Sequence, residues 1–119
     1  MGGARHKRIL IVEDEPIVAL ALQDMLEDLG YEVIGPAFRV PPALALAESE
    51  AIDAAILDVN MGDGDSYGVA ERLRARGIPY LFATGYGREG LEPGHEETPV
   101  LQKPYRDAQV EAELKRMLG

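Results

Sequence analysis

The chain has 119 residues, the size of one ordinary domain, and carries a formal net charge of −9. This charge argues against general nucleic-acid binding, which needs a basic surface, and the absence of cysteine excludes a disulfide framework and thiolate chemistry. The sequence contains no signal-peptide pattern and no apolar run of the ~20 residues that a membrane span requires, so a soluble cytoplasmic protein is the default expectation.

Short apolar runs of strand length alternate along the chain with segments of helical spacing. A basic arm, residues 1–8, leads into the first run, RILIVED, which ends in Glu13 and Asp14. The following helix is predicted to begin at Pro16 and to end before Gly30, because proline suits a first helical turn and glycine suits the position after a last one. Its predicted buried stripe consists of Val18, Leu22, Met25, Leu26 and Leu29.

The rest of the chain continues this alternation. Further strands are predicted in YEVIGPA, DAAILDVN, IPYLFATGYG and TPVLQKP, and further helices in VPPALALAESEA, SYGVAERLRARG and YRDAQVEAELKRML. Strands that are apolar on both faces and separated by helices indicate parallel βαβ units. The predicted fold is therefore α/β, a doubly wound five-stranded parallel sheet of flavodoxin-like order 2-1-3-4-5 with helices on both faces.

The connection between the fourth and fifth strands lacks the composition of a helix. Its sequence, GYGREGLEPGHEE, contains four glycines and one proline. An interior glycine destabilises a helix by roughly 1 kcal/mol relative to alanine, and an interior proline by about 3 kcal/mol. We therefore expect the fourth helix to be short or mobile, and we expect His95 in this connection to be a surface residue without a role.

Polar residues follow the strands at the edge of the sheet where open parallel sheets bind ligands. They are Glu13 and Asp14 after the first strand, Asp58 after the third, Thr84 after the fourth and Lys103 after the fifth. Clustered carboxylate oxygens select a hard divalent cation such as Mg²⁺ or Mn²⁺. With a cation in place, Asp58 can act as a nucleophile that forms an aspartyl phosphate, and Lys103 and Thr84 can stabilise the phosphoryl oxygens.

Four motifs make the chain resemble the receiver domain of two-component response regulators. They are LIVEDEP, ILDVNM, FATGY and LQKP, in this order within the stretch Ile9 to Leu118. The run LFATGYG further resembles a subfamily that is named for its FAT-GUY motif and includes many stand-alone receivers. The resemblance divides the chain into the basic arm, residues 1–8, and a receiver domain, residues 9–119.

The resemblance implies a metal site and a phosphoryl site built from the matching residues. Asp14 is implied to ligate Mg²⁺ directly, Glu13 to act mainly through water, and Asn60 to offer its backbone carbonyl, with Asp58 as the remaining ligand. Asp58 is also the implied phosphoacceptor. The phosphoryl oxygens are implied to contact two further side chains, those of Thr84 and Lys103, and the Lys103–Pro104 peptide bond is implied to be cis.

The chain departs from the family's pattern at two positions beside this site. Gly62 stands where a proline is usual, four residues after the acceptor, which is expected to loosen that loop. Val100 stands where a tyrosine or phenylalanine usually acts as an activation switch, so that switch cannot operate here. We expect the signal to leave instead through Gly85–Glu97, the segment that directly follows Thr84.

The implied function is a phosphorylation-switched signalling module. It is not an enzyme beyond promoting its own phosphotransfer and autodephosphorylation. A histidine kinase or a histidine phosphotransfer protein would donate the phosphoryl group. The output would be contact with a downstream protein partner or phosphorelay, without nucleic acid or membrane.

Several alternatives compete with this function. The chain can be a receiver domain excised from a longer response regulator or hybrid kinase. An aspartate-nucleophile phosphatase of the haloacid dehalogenase type is disfavoured, because DVN on the third strand replaces the Asp-x-Asp that this class generally has on its first strand. A relic interaction module is disfavoured by the complete set of site residues, and a flavodoxin-like FMN carrier by EDEP, which would repel phosphate.

Overall fold

The computed structural model of the protein describes residues 6–86 and 91–119. Within these residues, no helix has the length and apolarity needed to cross a membrane. The predicted strands and helices occur in the predicted order, with two additional short strands. They are β1 (Arg8–Val12), α1 (Pro16–Asp28), β2 (Glu32–Ala37), α2 (Val40–Ser49), β3 (Ala54–Asp58), β4 (Asn60–Met61), β5 (Gly64–Asp65), α3 (Tyr67–Ala75), β6 (Tyr80–Thr84), β7 (Val100–Gln102) and α4 (Asp107–Leu118).

Five strands form a parallel sheet in the order β2-β1-β3-β6-β7. Because β6 and β7 are the fourth and fifth strands of this sheet, the predicted order 2-1-3-4-5 is confirmed. The strands β4 and β5 form a separate antiparallel hairpin, which was not predicted. Parallel pairing brings the carboxyl ends of all five strands to one edge of the sheet.

The sheet carries a hydrophobic core on each face because successive side chains of a strand point to opposite sides. In β1, Ile9 and Ile11 pack into the cluster that contains residues of α1 and α4. The alternating residues Leu10 and Val12 pack into the cluster that contains residues of α2 and α3. All four are at most 1% exposed, which explains why β1 is a continuous apolar run.

The buried face of α1 differs in part from its predicted stripe. Leu22 and Leu26 are buried as predicted, and Ala19 is buried beside them. Leu29 is 38% exposed, and the prediction was wrong at this position because the helix ends at Asp28 and no longer carries the next residue on the same face. Val18 and Met25, the other two members of the stripe, are half-buried.

The connection between β6 and β7 forms turns but no helix over residues 91–99, so the described part of the chain contains four helices. Residues 87–90 of this connection lie outside the described residues. The backbone N–H of Glu92 donates to the hydroxyl oxygen of Tyr67 at 3.0 Å. This hydrogen bond attaches the connection to the start of α3.

His95 packs against the aromatic side chains beneath this connection. Its ring centroid lies 4.9 Å from that of Tyr67 and 5.2 Å from that of Phe82. Phe82 is completely buried and contacts Tyr67 edge-on at 5.5 Å. The prediction of His95 as a surface residue without a role was therefore wrong: it is a half-buried packing residue.

Candidate metal and phosphoryl site

Four strands deliver the predicted site residues to the same edge of the sheet. Glu13 directly follows β1, Asp58 is the last residue of β3, Thr84 is the last residue of β6, and Lys103 directly follows β7. The backbone N–H of Lys103 donates to the carbonyl of Thr84 at 2.8 Å, which continues the pairing of β6 and β7 to this edge. The local fold thus explains why residues distant in sequence meet here.

Three carboxylates form a tight cluster at this edge. One oxygen from each of Glu13, Asp14 and Asp58 lies within 4.8 Å of the others. Glu13 is 3% exposed and Asp58 is 6% exposed, while Asp14 is half-buried. Carboxylates that are close together and shielded from water repel one another, so the cluster requires positive charge when it is ionised.

Lys103 supplies part of this positive charge. Its Nζ lies 2.7 Å from Oε1 of Glu13 and 3.3 Å from Oδ2 of Asp58. The other carboxylate oxygen of Glu13 accepts a hydrogen bond from the backbone N–H of Glu15 at 3.0 Å. The Lys103–Pro104 peptide bond is cis, as predicted.

Burial and neighbouring charges shift the pKa values of three side chains at the site. Burial, together with the negative charge of Glu13, raises the pKa of Asp58 to about 7, although Lys103 acts in the opposite direction. Burial alone would lower the pKa of Lys103, but its hydrogen bond to Glu13 and the charge of Asp58 raise it above its ordinary value. Burial and the charge of Glu13 raise the pKa of Tyr105 to about 12.

The donor set fits a small divalent cation. Three carboxylates and one ammonium leave a formal charge of −2, which one such ion would neutralise. The donors are oxygens, which Mg²⁺ and Mn²⁺ prefer. Burial and the charge of Glu13 raise the pKa of Asp58, and a bound cation would favour its ionised form. Asn60 lies in β4, two residues beyond Asp58, and its role as a carbonyl ligand stays a prediction.

Thr84 is buried, and its Oγ1 accepts a hydrogen bond from the backbone N–H of Tyr86 at 3.1 Å. A hydroxyl that accepts a hydrogen bond can still donate one, so Thr84 keeps a donor for a phosphoryl oxygen. The side chain of Tyr86 is 75% exposed. A movement of the Thr84 hydroxyl would therefore be transmitted to the backbone of an exposed residue.

Ser66 is a site residue whose role the sequence did not reveal. Its residue type and its position at the start of α3 suit a helix cap, but it makes no side-chain capping hydrogen bond. Its hydroxyl is completely buried and donates to the backbone carbonyl of Asp58 at 2.6 Å. Ser66 thereby holds the backbone of the candidate nucleophile. The loop after Asp58, which contains Gly62, forms the β4–β5 hairpin.

A family model described as the response regulator receiver domain matches residues 9–115. The chain therefore belongs to the response regulator receiver domain family and is a receiver domain of two-component signalling. Membership of the FAT-GUY subfamily stays a prediction, as does the division at residue 8.

Named relatives support this assignment. The chain is 34% identical to the phyllosphere-induced regulator PhyR of Methylorubrum extorquens over 114 residues, which cover 92% of this chain and 43% of PhyR. The chain thus spans less than half the length of this curated relative. It is also similar to the solution structure of SdrG from Sphingomonas melonis, with 44% identity and a TM-score of 0.84, covering 98% of this chain and 100% of that one. SdrG has also been solved in a conformation activated by BeF₃.

A further solved structure is the receiver domain of the sensor histidine kinase PA1611 from Pseudomonas aeruginosa. It is 27% identical, has a TM-score of 0.79, and the match covers 96% of this chain and 98% of that one. That structure has a magnesium ion coordinated in its active-site cleft. Homologous receivers therefore hold Mg²⁺ in the active site, and the present chain has an acidic cluster there.

Proposed function

We propose that this chain is a phosphorylation-switched module in which Asp58 accepts a phosphoryl group and a divalent cation occupies the carboxylate cluster. The observation that carries the proposal is the position of Asp58, which is buried, clusters with two other carboxylates and lies 3.3 Å from the ammonium of Lys103. The metal ligands would be Glu13, Asp14, Asp58 and the backbone carbonyl of Asn60. Mg²⁺ is the expected ion, and Mn²⁺ is expected to substitute because it prefers the same ligands.

The proposed transfer is a nucleophilic displacement at phosphorus. An Asp58 carboxylate oxygen forms a bond to the phosphorus of a phosphohistidine while the P–N bond breaks, and the bonding electrons return to the imidazole of the donor. When it is bound, the metal supplies positive charge that stabilises the phosphoryl oxygens. Lys103 then moves its ion pair from Asp58 to a phosphoryl oxygen, and Thr84 donates a hydrogen bond to another.

This chemistry defines the proposed partners. The donor would be a histidine kinase or a histidine phosphotransfer protein, and the output would be contact with a downstream protein or relay of the phosphoryl group to another histidine. The protein would act as an enzyme only on itself, in its own phosphotransfer and autodephosphorylation. Family membership supports this function over an aspartate-nucleophile phosphatase.

Phosphorylation of the purified protein tests the proposal. Incubation with Mg²⁺ and a small phosphodonor such as acetyl phosphate is expected to add one phosphoryl group to the intact mass. Asp58→Asn is expected to abolish this addition, because the amide is not a nucleophile of comparable strength, whereas Asp65→Asn, which alters a nearby exposed acid, is expected to retain it. Equal labelling of the parent and Asp58→Asn would refute the assignment of the phosphoacceptor.

We further propose that the signal leaves the site through the backbone that follows Thr84. Val100 packs half-buried against the core and offers no ring that could swing inward. Tyr86, by contrast, is tied to the Thr84 hydroxyl through its own N–H. If Thr84 turns towards a phosphoryl oxygen, the hydrogen bond to Tyr86 must stretch or the backbone of Gly85 and Tyr86 must follow.

Amide hydrogen exchange is expected to show a local response to the phosphoryl mimic beryllium fluoride with Mg²⁺. Fixing the backbone costs roughly 1–2 kcal/mol per residue, whereas a hydrogen bond to a charged group contributes only about 1.5–3 kcal/mol. We therefore expect changed protection at Gly85 and Tyr86, but little change over residues 91–97 without a partner. Glu92 serves as an internal control because Tyr67 already accepts its N–H. Strong new protection throughout 91–97 in the isolated protein would contradict this route.

A further inference from the structure

The hairpin that follows Asp58 is anchored to the first turn of α2 by Asp63. Both carboxylate oxygens of Asp63 accept the backbone N–H of Val40, each at 3.2 Å. Gly64 lies beside the same residue, because a Cβ placed on it would be 3.6 Å from Cγ2 of Val40. The hairpin therefore contacts the start of α2 through a hydrogen bond and through packing.

The sequence at the start of α2 explains why the N–H group of Val40 needs an acceptor from outside the helix. The first N–H groups of an α-helix have no partner within the helix. In this helix Pro41–Pro42 have no N–H to donate, and the N–H of Ala43 already donates to the carbonyl of Arg39 at 3.2 Å. Among residues 40–43, Val40 therefore carries the one N–H group that needs an outside acceptor, and Asp63 provides it.

The anchored hairpin lies beside the proposed metal site. Asn60, whose backbone carbonyl the proposed function assigns to the metal, belongs to β4 and pairs with Asp65 of β5. Gly62 lies in the turn between them, and a Cβ placed on it would be 3.5 Å from Oδ2 of Asp14. A displacement of this turn would therefore change the position of the carbonyl and the space beside Asp14 together.

We propose that Asp63 is a positioning residue for the metal site. By fixing the hairpin on α2, it holds the Asn60 carbonyl and the turn beside Asp14 where a cation can use them, and this inference rests on the proposed function. Asp63 itself is exposed and is not a member of the carboxylate cluster. Its hydrogen bond also restrains the turn at Gly62, where the family usually has a proline.

Two substitutions at this position separate positioning from charge. Asp63→Ala removes both acceptor oxygens, whereas Asp63→Asn removes the charge but keeps one acceptor oxygen for the N–H of Val40. The full chain is titrated with Mg²⁺ by calorimetry, amide exchange at Val40 is followed by NMR, and circular dichroism verifies that each variant is folded. Loss of a residue that supports a metal ligand typically lowers metal affinity about 10–100-fold.

For Asp63→Ala we expect faster exchange at Val40 and a Mg²⁺ affinity about tenfold weaker than that of the parent. For Asp63→Asn we expect both quantities to stay close to the parent's values. Equal losses in the two variants would overturn the inference in favour of a charge effect, and an unchanged affinity in Asp63→Ala would overturn it outright.

If the parent is phosphorylated on Asp58 while Asp63→Ala binds Mg²⁺ normally, only this inference fails. A parent that binds Mg²⁺ but takes no phosphoryl group contradicts the proposed function instead.

Discussion

Asp58→Asn is expected to make the metal-free protein more stable than the parent above pH 7. The pKa of this buried carboxyl rises from 3.8 to about 7, so the native state holds its proton more tightly than the unfolded chain does. The resulting stabilisation is fully present below pH 3.8 and is lost as the pH rises through about 7. Above that pH the parent must keep an ionised carboxylate beside Glu13, whereas the variant carries a neutral amide.

The free energy of unfolding is expected to rise by about 1–3 kcal/mol at pH 8, since one pKa unit corresponds to about 1.4 kcal/mol and burial of the polar amide offsets part of the effect. Lys103 keeps its closer partner, Glu13, at 2.7 Å. Urea unfolding at pH 8 and pH 5 in the presence of a chelator measures the difference, which should shrink at the lower pH. Asp24→Asn, at an exposed position of α1, is the control for removing one negative charge.

Saturating Mg²⁺ is expected to reverse this order of stability at pH 8. A ligand present at about 1,000 times its Kd stabilises the native state by about 4.1 kcal/mol, which exceeds the expected gain, and Asp58→Asn has lost one of the charged ligands. If the variant is no more stable than the parent without metal, the carboxylate cluster does not carry the unfavourable charge that we infer for it.

Asp14→Asn is expected to abolish most of the Mg²⁺ affinity and nearly all phosphorylation. Asp14 is the most accessible member of the carboxylate cluster, with Glu13 and Asp58 almost fully buried. Replacing a charged ligand by a neutral amide should weaken binding by more than the roughly 10–100-fold that loss of an outer partner typically causes. Calorimetric titration with Mg²⁺ and the intact mass after reaction with acetyl phosphate measure the two effects.

Two controls distinguish ligand loss from a general change of charge. Glu15→Gln neutralises the exposed neighbour of Asp14 and should leave Mg²⁺ affinity nearly unchanged. Lys103→Ala removes a cation that is not a ligand, so it should bind Mg²⁺ at least as well as the parent but be impaired in phosphorylation or in the response to it. The ligand assignment is wrong if Asp14→Asn binds Mg²⁺ as tightly as Glu15→Gln.

The parallel sheet and the meeting of its polar strand ends could be predicted from the sequence. The strands β3 and β6 are buried along their whole length, which makes them continuous apolar runs that are easily identified. The parallel order of the strands then places Asp58 and Thr84 at one edge of the sheet, independently of the conformation of the loops. The glycines after β6 predicted only a short or mobile fourth helix, and residues 91–99 form turns without a helix.

The features that were missed depend on contacts between distant segments. Each strand of the β4–β5 hairpin is only two residues long, which is too short to show the alternation of apolar and polar residues typical of a strand. Ser66 has the residue type and position of a helix cap, but its hydroxyl bonds the carbonyl of Asp58. His95 lies among polar residues in sequence, and only the folded chain brings its ring against Tyr67 and Phe82.

The phosphoryl group can be located directly by reducing the phosphorylated protein with borohydride, which converts an aspartyl phosphate to homoserine. Peptide mapping by mass spectrometry then identifies the modified residue. Homoserine is expected at position 58 alone, formed only after incubation with both Mg²⁺ and the phosphodonor. Reduction at another aspartate, or a phosphoryl group that survives as an ester on Ser66 or Thr84, would contradict it.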